Sequence, residues 1–201
     1  SLPAEDFRDE NITIAARTRP CENLGGDMYD YFRIDHNRYG VVIADACGHG
    51  VPAALLISHI QVLIKSEVKN GTSLEEMMHF INSHIRTSFI KGKFVTLFYG
   101  ILDVKTWTMI YVNAGHNFPL LVRKTGEYEF LNCSSPALGL YDDIDFAFGL
   151  SKTYPGDLLL LYTDGITEAM NDGREEFGER RLLDIVIKNR ASEPAQIIAS
   201  I

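Results

Sequence analysis

Apolar and polar positions alternate with period two over "NITIAAR" (11–17), "MYDYFRI" (28–34) and "RYGVVIAD" (38–45), which predicts three strands, the last two joined by the polar turn "DHNR". The period then lengthens. Gly50 and Pro52 open a helix that runs through "AALLISHIQVLIKSEV" and stops at Asn70-Gly71. Ser73 starts a second helix with a capping box, because Glu76 stands three positions later. Leu74, Met77, Met78, Ile81 and Ile85 share one face of it and mark a packed surface. From residue 93 the pattern is β again: "KFVTLFYGILD", "WTMIYVNAG", "FPLLVR" and "YEFLN" predict an antiparallel meander. "IDFAFGL" and "DLLLLYTD" predict two more strands, "REEFGERRLLDIVIKN" a helix, and the stretch after Ser192 another. The order gives an α+β fold, an α-β-β-α sandwich of two antiparallel sheets flanked by helices.

Composition narrows this only a little. The 201 residues are 46% hydrophobic and 23% charged, ordinary for one globular domain with a full core. A formal net charge of −8 without a Lys/Arg cluster argues against nucleic acid and anionic membrane as main partners and is compatible with binding cations. Cys21, Cys47 and Cys133 are odd in number and lack CxxC spacing, so a disulfide framework or zinc site is not expected and a reducing cytoplasm is. The longest apolar run, about "PAALLI", is too short to insert into a bilayer. "SLPAEDF" reads as a cut end, so the expectation is one domain over 1–201 taken from a longer chain.

Chemistry enters through the carboxylates. Asp45 ends a buried strand in "IADACGHG", and burying a lone carboxylate is costly unless something positive meets it. Asp27 in "GGDMYD" and Asp164 in "LLLLYTDGITE" share its setting, an acid at a strand end or turn beside glycine; Asp30 is the weakest fourth. Oxygen ligands at strand ends suit Mg2+ or Mn2+, and a neighbouring glycine lets a main-chain carbonyl reach the ion. Taken singly, Asp before Gly is more often a turn than a ligand, as with Asp172-Gly173. Asp45 and Asp164 stand out because each follows a strongly apolar strand and precedes helical sequence. His49 between glycines, and Asn113 and His116 in "NAGHN", are open to supporting or structural roles. Met77 and Met78 read as core, and Glu168 as a surface or outlying carboxylate.

The motifs "GGDMYDYF", "VVIADACGHGVPAALL", "FVTLFYGILD", "YVNAGHNFPLL", "PALGL" and "DLLLLYTDGITEAMNDGREEFGERRL" follow one another over about residues 10–185. In order and spacing they resemble the SpoIIE-like (RsbU-type) branch of the PPM metal-dependent protein phosphatases. That resemblance implies two Mn2+ or Mg2+ ions, with Asp45 bridging them, the Ala46 carbonyl reaching one, Asp164 a terminal ligand, and Asp27 binding a metal or its water. Gly26, His49, Asn113 and His116 would support the site. The implied reaction is hydrolysis of phosphoserine or phosphothreonine on a regulatory protein by a metal-bound water. The implied partner is a phosphorylated STAS-domain antagonist in sigma-factor partner switching. An upstream sensor or dimerisation segment would act on the helix that begins at Gly50, an arrangement compatible with a homodimer. The chain departs from the family in one place. Members continue to an Asp-Asp pair before a final strand, whereas this chain ends in the helical "EPAQIIASI", and Asp184 lies mid-helix. An inactive, metal-binding phosphoprotein-recognition domain is therefore the alternative. A diguanylate cyclase is disfavoured because Met28-Tyr29 follow its Gly-Gly-Asp where Glu-Phe would be required.

Overall fold

The structure is a computed structural model that describes residues 6–19, 25–88 and 92–201. Cys21 and the first five residues, on which the cut-end reading rests, lie outside the described residues. A two-stranded ribbon, β1 (Phe7–Arg8) with β2 (Thr13–Ile14), precedes the main body, so only two residues of the expected first strand pair.

Five strands make the larger sheet: β3 (Asp27–Arg33), β4 (Arg38–Ala46), β5 (Val95–Asp103), β6 (Thr108–Ala114) and β9 (Phe148–Lys152), in order β3-β4-β5-β6-β9. Asp35 fixes the β3–β4 turn, its Oδ1 accepting the backbone N–H groups of Asn37 and Arg38 at 2.9 Å each. The meander expectation is corrected after β6. The chain leaves this sheet, and β7 (Leu120–Val122), β8 (Tyr128–Phe130) and β10 (Leu158–Leu160) form a second one in order β10-β7-β8. β9 starts later than the sequence pattern placed it, since Ile144 and Phe146 are buried outside any strand.

Helices α1 (Val51–Asn70) and α2 (Leu74–Ser88) cover the outer face of the large sheet. Both ends of α1 are as the sequence predicts. Gly50 is its N-cap, and Gly71 takes the left-handed conformation that returns its N–H to Glu67 and Val68 carbonyls. The capping box of α2 is present: Ser73 Oγ donates to Glu76 Oε2 at 2.7 Å and accepts the Glu76 N–H at 3.3 Å. Among the described residues α1 is the one helix that, by length and mean hydropathy, 1.3, could cross a bilayer, contrary to the reading that no apolar stretch is long enough. In the fold its Ala53, Leu56, Ile57, Ile60 and Ile64 are buried against the sheet.

After β10 come a single turn, α3 (Asp164–Thr167), then α4 (Glu179–Asn189) and α5 (Pro194–Ser200). The turn around Asp172-Gly173 is only a turn, closed by Asn171 Oδ1, and it delays α4 by five residues relative to the expected start at Arg174. Three apolar clusters separate four layers. Met28, Val42, Leu97 and Val112 meet α1 and α2; Ile43, Phe98, Met109 and Tyr111 meet Leu121 and Leu131 of the small sheet; Leu120, Val122 and Tyr162 meet Leu182, Val186 and Ile197. The α-β-β-α sandwich is thus observed layer by layer.

Candidate metal centre

Alternation decides what each strand presents at its end. On β4, even-numbered Val42 and Ala44 face the helices, while Ile43 faces the gap between the sheets. Asp45 therefore points into that gap at its open end. The hairpin register sets Asp27 directly opposite it, and β5 sets Thr96 on its other side. Asp164 arrives from the second sheet, at the first turn of α3 just past β10. Three carboxylates thus meet from three separate strand ends.

Their electrostatics are those of crowded acids. Burial, then the negative charges of Asp27 and Asp164, push the Asp45 carboxyl up to about 7. Asp27 is raised as well, chiefly by burial and also by Asp164, against a lowering hydrogen bond from Thr163, whose Oγ1 lies 3.3 Å from Oδ2. Each of the two carboxyls is thus pushed toward its protonated form by burial and by the company of the other acids. Among the described residues none of the three forms an ion pair with Lys or Arg, and no three His, Cys, Asp or Glu side chains make a ready-made ion cage.

Gly26 shapes the space beside them. A Cβ at that position would lie 2.9 Å from the Ala46 carbonyl oxygen and 3.3 Å from Asp45 Oδ1. Its own carbonyl accepts the Ala46 N–H at 3.0 Å, which locks the end of β4. The exit from β4 is clamped from the other side: Cys47 N–H donates to the Phe94 carbonyl at 3.0 Å, and Lys93 Nζ to the Cys47 carbonyl at 3.4 Å. Carboxylates short of positive charge, a carbonyl beside a position that only glycine fits, and no soft donor among them suit a hard divalent cation that keeps much of its water.

The supporting residues divide. Asn113, fully buried, closes the "NAGH" turn: it donates to the His116 carbonyl at 3.0 Å and accepts the His116 N–H at 2.7 Å. His116 is anchored on the β5 side of the centre: its Nδ1 lies 2.8 Å from Thr96 Oγ1, beside Asp45, while its buried Nε2 has no hydrogen-bond partner among the described residues. Burial lowers its pKa to about 4, so it is neutral at physiological pH. His49 is exposed in the loop before α1. Cys47 and Cys133 are free thiols, and Glu168 is exposed as expected. Asp30 is corrected out of the acidic group. It faces α1, where Lys65 Nζ at 2.7 Å and Gln61 Nε2 at 2.8 Å meet it. Sequence reasoning missed Thr96 and Thr163; strand register from Asp45 marks the first, and adjacency to Asp164 marks the second.

The chain matches the family model described as Stage II sporulation protein E (SpoIIE) over residues 35–201. It is 31% identical over 169 residues to phosphoserine phosphatase RsbP of Bacillus subtilis (strain 168), covering 82% of this chain and 42% of that protein. Among solved structures, the SiaA-PP2C domain of Pseudomonas aeruginosa is similar with a TM-score of 0.78 at 20% identity, covering 90% of this chain and 73% of that one. RsbX, solved in complex with magnesium, gives 0.65 at 15%, with 94% and 93% covered. The sandwich is thus the PP2C fold, and by its sequence the chain belongs to the Stage II sporulation protein E (SpoIIE) family, as a SpoIIE-like, RsbU-type PPM phosphatase domain.

Proposed function

We propose that this chain hydrolyses phosphoserine or phosphothreonine on a regulatory protein and needs Mn2+ or Mg2+ to do so. The observation that carries the reading is the meeting of Asp27, Asp45 and Asp164 at one end of the inter-sheet gap, with no ion-pairing Lys or Arg among the described residues, beside a carbonyl that Gly26 leaves room for. Asp45 would bridge two ions, the Ala46 carbonyl and Asp164 would each serve one, and Asp27 would hold an ion or its water. When bound, such ions neutralise phosphoryl oxygens and acidify water. The chain's own groups hold this arrangement in place. Thr163 orients Asp27, His116 holds Thr96 beside Asp45, and the Cys47–Phe94 bond fixes where α1 departs. RsbP bears the name phosphoserine phosphatase, and the RsbX structure contains magnesium; both support the reading.

The substrate class that fits is a phosphorylated STAS-domain antagonist in the cytoplasm, with an upstream sensor or dimerisation segment acting on α1. The test is phosphate release from a phosphoserine protein with and without Mn2+, comparing the chain with Asp45→Asn. Manganese-dependent release that falls at least 100-fold in the variant, about 2.7 kcal/mol of barrier, supports the proposal. Phosphoprotein binding without release would make the chain a recognition module instead.

A further inference from the structure

Away from the carboxylates, on the α1–α2 hairpin, two histidines face each other. His59 of α1 and His84 of α2 bring their Nε2 atoms to 2.7 Å, with rings nearly parallel at 22° and centroids 4.8 Å apart. Both are half-buried, and Phe80 lies 5.9 Å from the His84 ring, so the site has an apolar wall. At this separation one imidazole must donate and the other present a lone pair. From this geometry we infer that His59 and His84 form a two-imidazole clip for a borderline-soft divalent cation such as Zn2+.

Zinc–imidazole bonds of about 2.0–2.1 Å in a tetrahedral site set two ligand nitrogens roughly 3.3 Å apart. The pair therefore needs to open by about half an ångström and each ring to turn so that both lone pairs converge on the ion, which rotation about the His side-chain torsions can supply. The ion would replace the shared proton, with water filling its remaining positions. Imidazole selects Zn2+, Ni2+ or Cu2+ over Mg2+, which prefers oxygen, so this clip and the carboxylate centre would sort ions by chemistry. The ligands stand on different helices, so a bound ion staples α1 to α2, and α1 is the helix that leaves the carboxylate centre.

The test uses the folded chain at pH 7.5 in saturating Mg2+, titrated with Zn2+ by calorimetry, alongside His59→Gln, His84→Gln and Asp45→Asn, with His79→Gln as a control on the exposed face of α2. Circular dichroism checks that each variant is folded. The expected result is one zinc equivalent whose affinity falls at least tenfold in His59→Gln and in His84→Gln and persists in His79→Gln and Asp45→Asn. Cu2+ bound to the unmodified chain should show two-nitrogen hyperfine structure by electron paramagnetic resonance, reduced in either clip variant. A smaller fall in either clip variant, loss in Asp45→Asn, or an unchanged nitrogen pattern overturns the inference.

Discussion

Asp27 and Asp30 stand on the same strand, three positions apart and on opposite faces of the sheet, and their fates differ. Asp30 is 5% exposed and satisfied: Lys65 and Gln61 meet its Oδ2, and the Tyr31 N–H reaches its Oδ1 at 2.9 Å. Asp27 instead meets two further acids, Asp45 and Asp164, and its carboxyl and that of Asp45 are driven toward the protonated form. A buried carboxylate with its own cation is a structural joint, here between β3 and α1. Three carboxylates with none among the described residues are held together at a cost to the fold, the setting that the proposed ion site would relieve. Asp30 is the most buried of the four, with Asp27 and Asp45 half-buried and Asp164 exposed, so what each oxygen faces separates the cases and not depth of burial.

The largest break in the comparison comes from neutralising one member of each set. Asp45→Asn is expected to remove turnover, at least 100-fold, while raising the thermal midpoint of the metal-free chain. The gain should be on the order of 1 kcal/mol, allowing for the solvent that reaches Asp45. Asp30→Asn should do the reverse: lower the midpoint and leave turnover per folded molecule within about threefold. Turnover and melting measured on both variants decide it.

Next in size is Gly26→Ala. The added methyl meets the Ala46 carbonyl at 2.9 Å, a backbone atom that cannot swing away, so the end of β4 must shift: Mn2+ affinity should fall about tenfold, about 1.4 kcal/mol, and the melting midpoint should drop as well. A manganese titration checks this. Lys65→Met tests the structural side. It leaves Asp30 with Gln61 and the Tyr31 N–H but without its cation, and should cost about 1–2 kcal/mol in a denaturant melt, less than a fully buried pair because Lys65 is half exposed.

The smallest effect is on pH. Asp45 has a folded pKa raised to about 7, so below that value the fold binds a proton that the unfolded chain gives up, and metal-free stability falls as pH rises from about 4 to 7. His116 has a folded pKa lowered to about 4, so its contribution is complete above the unfolded value near 6.5 and is lost as pH drops toward 4. The two slopes oppose each other. Asp45→Asn should remove the first and leave a midpoint that climbs with pH between about 4 and 6.5, measurable by melts across that range.

How far the sequence reveals this follows from which interactions are local. The β3–β4 hairpin, both ends of α1 and the Ser73–Glu76 capping box are short-range devices, and all were legible. The hairpin also carries the Asp27–Asp45 opposition, because its turn fixes the register. The partner of β7 was not legible. Leu120, Leu121 and Val122 are all buried, so no alternation says which sheet they join. Ile144 and Phe146 alternate like strand residues, yet they fill the helix-side core without pairing. The counter-ion of Asp30 was equally hidden, since Lys65 is 35 residues away and only the packing of α1 brings it close. Asp164 was readable as a candidate from its strand-end setting, but its convergence with the other two depends on how the sheets stack.

The central claim is that the three carboxylates form a shared site for divalent cations, and it is tested most directly by counting Mn2+. Titrating the chain and Asp45→Asn while following free Mn2+ by electron paramagnetic resonance should give two ions bound to the chain, and weakened binding with a lower count for the variant. Equal stoichiometry and affinity in both proteins would contradict the account.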